Sequence, residues 1–119
     1  MKDDRLYLIH IKERITRIED YVRGGKAAFV GTELVQDAVL RNLQTLAEST
    51  QRLSDDIKAK RNDIDWRRIS GFRNVVVHDY LGVDIELIWD IVETELPALR
   101  SAVDEMLNQL VEREDETQC

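Results

Sequence analysis

Gly71-Phe72-Arg73-Asn74-Val75-Val76-Val77-His78-Asp79-Tyr80 sets a guanidinium, an imidazole and a phenol, spaced R-x-x-x-x-H-x-Y, into an otherwise apolar segment. Arginine is permanently charged and presents a planar fork of donors to phosphate oxygens, while histidine titrates closest to neutrality and exchanges protons there. A cation beside a proton shuttle is a minimal kit for phosphodiester chemistry. The spacing constrains how the three act together. At about 100° per residue on an ideal helix, His78 lies roughly 140° from Arg73, whereas Tyr80 returns to within about 20° of it. Arg73 and Tyr80 therefore share a face, and Asn74, four residues before His78, shares the other, where it can orient the ring. Bringing Arg73 and His78 onto one phosphate requires the helix to end or distort near His78, or a second copy of the motif across a dimer axis. The plain structural alternatives are a buried or helix-terminal His78 bonded to a carbonyl, and an Arg73 paired with Asp79 or Asp84.

Other constellations are weaker. His10 precedes Glu13 by three residues on the first helix, but di-iron bundles use paired Glu-x-x-His motifs, and here the order is reversed and single. No metal or other cofactor is expected. Trp66 and Trp89 are simplest as core or interface anchors rather than base-stacking platforms. There is no Gly-rich phosphate loop, nucleophilic serine elbow or Cys-x-x-Cys pair.

The frame that must carry the motif is helical. The 119 residues suffice for one domain with a real core, and five glycines and one proline leave room for long helices. Leu8, Ile11, Ile15, Ile18 and Val22 draw one stripe along a helix from about Asp3 to Arg23, ended by Gly24-Gly25. After a short loop, Thr32 is placed to cap a second helix whose stripe runs through Val35, Val39, Leu43, Leu46, Leu53 and Ile57 to about Arg61. Asp63 or Asp65 caps a third that opens at Trp66 and continues through the motif to Leu81-Gly82. The Val75-Val76-Val77 triplet also suits a strand, but no partner strand exists. Asp84 caps a fourth helix along Ile88, Val92, Leu96, Leu99, Val103, Met106 and Leu110. Pro97 predicts a kink in it or a break into two. The expectation is an all-α antiparallel bundle of four to five helices, residues 1–111 forming a single domain and residues 112–119 an acidic, frayed tail. Stripes longer than a compact monomer needs point to a homodimer.

Charge qualifies the partners. A net charge of −7 and a pI near 4.8 argue against a simple nucleic-acid-coating protein. The distribution is uneven: residues 52–73 hold seven basic side chains against four acidic, and residues 84–119 hold eleven acidic against Arg100 and Arg113. Either these are solvated faces of opposite sign, or a basic surface leads up to Arg73 with the acidity elsewhere. No apolar run approaches a membrane span and Met1-Lys2-Asp3-Asp4 lacks signal-peptide character, so a cytoplasmic protein is expected. The single cysteine, Cys119, cannot staple the fold.

The flanks of the motif carry a resemblance. Trp66-Arg67-Arg68-Ile69, Gly71-Phe72-Arg73-Asn74 through His78-Asp79-Tyr80, Val83-Asp84, Trp89 and Glu95-Leu96-Pro97-Ala98-Leu99 together resemble the HepT-like branch of the HEPN superfamily. Arg41-Asn42-Leu43 followed by Glu48 is similar to that family's second helix, with Glu48-Ser49 where the family usually has Glu-Ala. The likeness covers the chain from the first helix to about Leu110. It implies a HEPN-like bundle and the toxin of a toxin–antitoxin pair, a metal-independent endoribonuclease acting as a homodimer. It also implies a minimal nucleotidyltransferase (MNT) antitoxin as partner, and an RNA substrate, with tRNA the expectation by family analogy. Carried over residue by residue, Arg73 and His78 would cleave RNA and Tyr80 would receive AMP from the antitoxin.

The chemistry agrees with that assignment. RNA brings its own 2'-hydroxyl nucleophile, so the protein must supply a base, an acid and charge stabilisation. His78 would move the proton, Arg73 would hold the phosphate, and Asn74 would support ring or phosphate; DNA would survive. The competing class is a non-catalytic helical substrate-binding or regulatory subunit of a nucleotidyltransferase, in which the same residues are buried at an interface. A purely structural helical dimer is a third.

Overall fold

A computed structural model describes residues 3–77 and 85–118, and every regular element among them is helical. Helix α1 (Asp4–Tyr21) starts where the Asp3 carboxylate accepts a bond from the Leu6 amide at 3.2 Å. Its stripe of Leu8, Ile11, Ile15 and Ile18 is completely buried, each side chain contributing on the order of 1.5–3 kcal/mol of transfer free energy. The chain turns at Gly25, whose φ of +86° is open to glycine and strained for other residues. The expected loop then proves to be a short helix, α2 (Gly25–Gly31), which inserts Phe29 into the core. Short helices bounded by glycine leave no periodic stripe to detect.

Thr32 occupies the cap position of α3 (Glu33–Arg52), as its sequence place predicted, but its side chain makes no capping bond. Gln36 closes the junction instead, donating to the carbonyls of Phe29 at 3.0 Å and Val30 at 2.9 Å. The stripe expected to run on to Arg61 is interrupted after Arg52. Leu53 and Ser54 are extended, and Ser54 Oγ caps α4 (Asp55–Ala59) by accepting from the Ile57 amide at 3.3 Å. The Asp4 carboxylate holds the break open, accepting from Ser54 N at 2.8 Å and from Ser54 Oγ at 2.6 Å. A contact fifty residues away in sequence outweighs the local helical period.

Of the two aspartates placed to cap the third helix, Asp65 does so, accepting from the Arg68 amide at 3.0 Å. That helix is not continuous. It divides at Gly71 into α5 (Trp66–Ser70) and α6 (Phe72–Val77). Further on, α7 (Ile85–Asp90) passes through a π-helical turn, Ile91–Glu95, into α8 (Leu96–Gln118). The Leu96 amide bonds five residues back to Ile91 O, immediately before Pro97, which has no amide to continue an α ladder. The break predicted from Pro97 thus takes the form of a widened turn. Fraying was expected from Glu112, yet the backbone stays helical to Gln118, in keeping with a segment free of glycine and proline.

Helix α1 packs against both α3 and α8, and α3 also receives α2, α5 and α6 on its flanks. The body measures 54 × 27 × 22 Å. Among the described residues, ion pairs tie the C-terminal segment to the other helices. Lys12–Asp104 and Lys26–Glu86 each close at 2.8 Å, and Arg100 pairs with Glu19, Arg61 with Glu105 and Arg68 with Glu95.

Candidate functional site

The site is built on the join between α3 and the α5–α6 pair. Thr50 Oγ1 lies 3.4 Å from Ser70 Oγ, and Gln51 Nε2 donates to Ser70 O at 3.5 Å. Gly71 then makes a close corner: its amide bonds the carbonyls of Arg67 and Arg68 at 3.1 Å, and an added Cβ would stand 3.2 Å from Arg68 O. Asn74 N closes on Gly71 O at 2.9 Å. Next to the corner Phe72 is 3% exposed. Burying Phe72 in the core turns Arg73 and Asn74 outward, and both are exposed.

Arg73 Nε lies 4.0 Å from Glu48 Oε1 on α3, and both side chains are about half exposed, at 52% and 49%. The Nη fork of Arg73, a two-donor group suited to phosphate oxygens, has no partner among the described residues. The structure thus brings Arg73 and Asn74 to one exposed edge of the bundle. His78 and Tyr80 lie outside the described residues, as do Asp79 and Asp84, the alternative partners considered for Arg73.

Glu48 was recognised in the sequence only as part of a resembling second helix, without a role beside Arg73. The available signal was an isolated carboxylate within the run Leu46-Ala47-Glu48-Ser49-Thr50, whose other members are all buried. A charged residue in such a run points out of the core.

The surrounding charges separate the two readings left open by composition. Arg61 is neutralised by Asp63 and Glu105, and the bond from Arg61 holds the Asp63 carboxyl below its ordinary range. Arg68 is taken by Glu95. Part of the basic run is therefore internal clasp, while Arg67 and Arg52 make no ion pair among the described residues.

The tryptophans are packing anchors. Trp66 Nε1 donates to the carbonyls of Lys58 at 3.1 Å and Arg61 at 3.0 Å. Trp89 rests 5.4 Å from the Phe29 ring, with its Nε1 on Glu93 at 2.8 Å. Among the described residues no three His, Cys, Asp or Glu side chains converge as metal ligands, and no helix is long and apolar enough to cross a membrane.

The described residues form an all-α bundle that presents an exposed arginine from a short surface helix. The chain belongs to the HepT-like ribonuclease family, matching the family described as "Ribonuclease HepT-like" over residues 11–106. It is 31% identical over 110 residues to a Methanocaldococcus jannaschii protein named "Gamma-glutamylcyclotransferase and putative RNase", covering 92% of this chain but only 50% of that protein. It is 30% identical over 110 residues to a "Putative RNase" of Caldanaerobacter subterraneus subsp. tengcongensis, covering 92% of this chain and 98% of the relative. A "Probable ribonuclease HepT" of Thermococcus cleftensis is 30% identical over 101 residues, 84% of this chain and 92% of the other. The chain thus spans half of the first relative's length and nearly all of the other two. No solved structure matches.

Proposed function

We propose that this protein is the toxin of a toxin–antitoxin pair, a metal-independent endoribonuclease that works as a homodimer. The observation that carries the reading is the half-exposed Arg73 on a short helix beside Glu48, within a chain of the HepT-like family. In the proposed reaction His78 takes the proton from a ribose 2'-hydroxyl, the oxygen attacks phosphorus, and the bond to the 5'-oxygen breaks as that oxygen is protonated. Arg73 holds the phosphate and offsets the charge that builds on its oxygens, with Asn74 beside it. Two motifs across a dimer axis supply base and acid together.

The partner is an MNT-type nucleotidyltransferase antitoxin that transfers AMP from ATP to the Tyr80 oxygen, releasing pyrophosphate. On a helix Tyr80 returns to the Arg73 face, so its AMP phosphate would occupy the cation that substrate needs. Incubating the unmodified protein with total RNA in the presence of a chelator tests the activity. Cleavage that disappears in His78→Ala, with 2'-deoxy substrate untouched, is the expected result; cleavage undiminished in the variant rejects the mechanism. Mass spectrometry after incubation with antitoxin and ATP should find AMP on Tyr80, and modification confined to other residues rejects that part.

A further inference from the structure

We infer that Glu48 is a positioning residue for Arg73, a role that rests on the ribonuclease function proposed above. The two are 25 positions apart and meet because α6 lies on α3. Glu48 rises from the firmest part of α3, where Leu46, Ala47, Ser49 and Thr50 are all buried. Arg73, in contrast, is a long side chain on a six-residue helix, with many rotamers open to it. A carboxylate 4.0 Å from the Nε edge favours the rotamers that keep that edge, rather than the Nη fork, toward α3. The same contact on the Nη edge would have competed with phosphate. Because both groups are half exposed, the pair lends the fold little stability, so orientation of the fork is its main effect.

The carboxylate also repels a bound phosphate. Removing its charge should therefore strengthen RNA binding while slowing turnover, a combination that a loss of structure does not produce. The test uses purified full-length protein and an RNA oligonucleotide that the wild type cleaves. Glu48→Gln, which keeps size and shape, should lower kcat by about tenfold through misalignment of the fork, with KM unchanged or reduced. Glu48→Asp, whose charge is retained one methylene short, should recover part of kcat. In an Arg73→Lys background, which has no Nε, Glu48→Gln should cost nothing further. The Arg73 Nε–H resonance, assigned by its absence in Arg73→Lys, should move in Glu48→Gln. An active wild type whose Glu48→Gln variant keeps both its kcat and its Nε–H resonance overturns the positioning role alone. Equal losses from Glu48→Gln in the wild-type and Arg73→Lys backgrounds overturn it too. A wild type inert toward RNA overturns the proposed function, and this role with it.

Discussion

The frame of α1, α3 and α8 and the arm of α5 and α6 are held by different forces. The frame locks through stripes such as Leu8, Ile11, Ile15 and Ile18 against Leu43, Leu46, Leu99 and Val103, all at 1% exposure or less. The arm is two short helices pinned by Ile69 and Phe72 and a few polar contacts to α3. Helices this short do not persist by themselves in water, so the arm borrows its shape from the frame. That difference suits a site: the core carries the stability, and the arm can keep polar groups exposed where packing alone would bury them.

If that division is right, substitutions should sort by region. Arg73→Ala and His78→Ala should each reduce RNA cleavage by about 100-fold or more and leave the thermal melting temperature within error of wild type. A large drop in melting temperature for Arg73→Ala would erase the distinction. In the frame, Leu46→Ala should cost about 2–5 kcal/mol in urea denaturation, with kcat per folded molecule preserved. Phe72→Ala tests the joint between the two regions. It should lose about 3 kcal/mol or more from its cavity and most of the activity as well, unlike either previous class. Asp65→Ala removes the cap of α5 and should cost about 1 kcal/mol by the same denaturation measurement.

The smallest effect concerns pH. Asp63 is acidified by Arg61, so its folded value lies below the unfolded one near 3.9. Its contribution is complete above the unfolded value and is lost as pH falls through the folded value. Because the group is exposed, only a slight flattening of the acid limb of a stability–pH curve is expected for Asp63→Asn, and the change should shrink in high salt.

Much of the frame was legible because each long helix buries a periodic stripe, and the stripes of α1, α3 and α8 lie where three-and-four spacing puts them. Interruptions were harder. Ser54 breaks the second stripe because Asp4 reaches it from the opposite end of α1, and no window around Ser54 contains that information. Gly71 divides the third helix where a corner must lie close to the Arg68 carbonyl, and one glycine in a helical pattern leaves the choice between tolerance and a corner open. Arg73 stood out in the sequence as a candidate cation because it interrupts an apolar stretch, and the structure leaves it exposed. Its carboxylate neighbour was not, because pairing Arg73 with Glu48 requires knowing how α6 lies on α3.

The Asp4–Ser54 contact has a consequence in time. Both ends of that latch are made within the first 54 residues, so α1 and α3 can clasp while the remaining 65 are still being added. Residues 55–119 take roughly 3–13 s at ordinary translation rates, against microseconds for a helix to form. The platform that holds Arg73 can therefore close before α8 is complete. The stretch that ends in α8, with the carboxylates of Glu95 and Glu105 that tie down Arg68 and Arg61, emerges after the arm. During synthesis the arm meets one of its two supports early and the other late, and any potential for cutting RNA should mature only as α8 arrives.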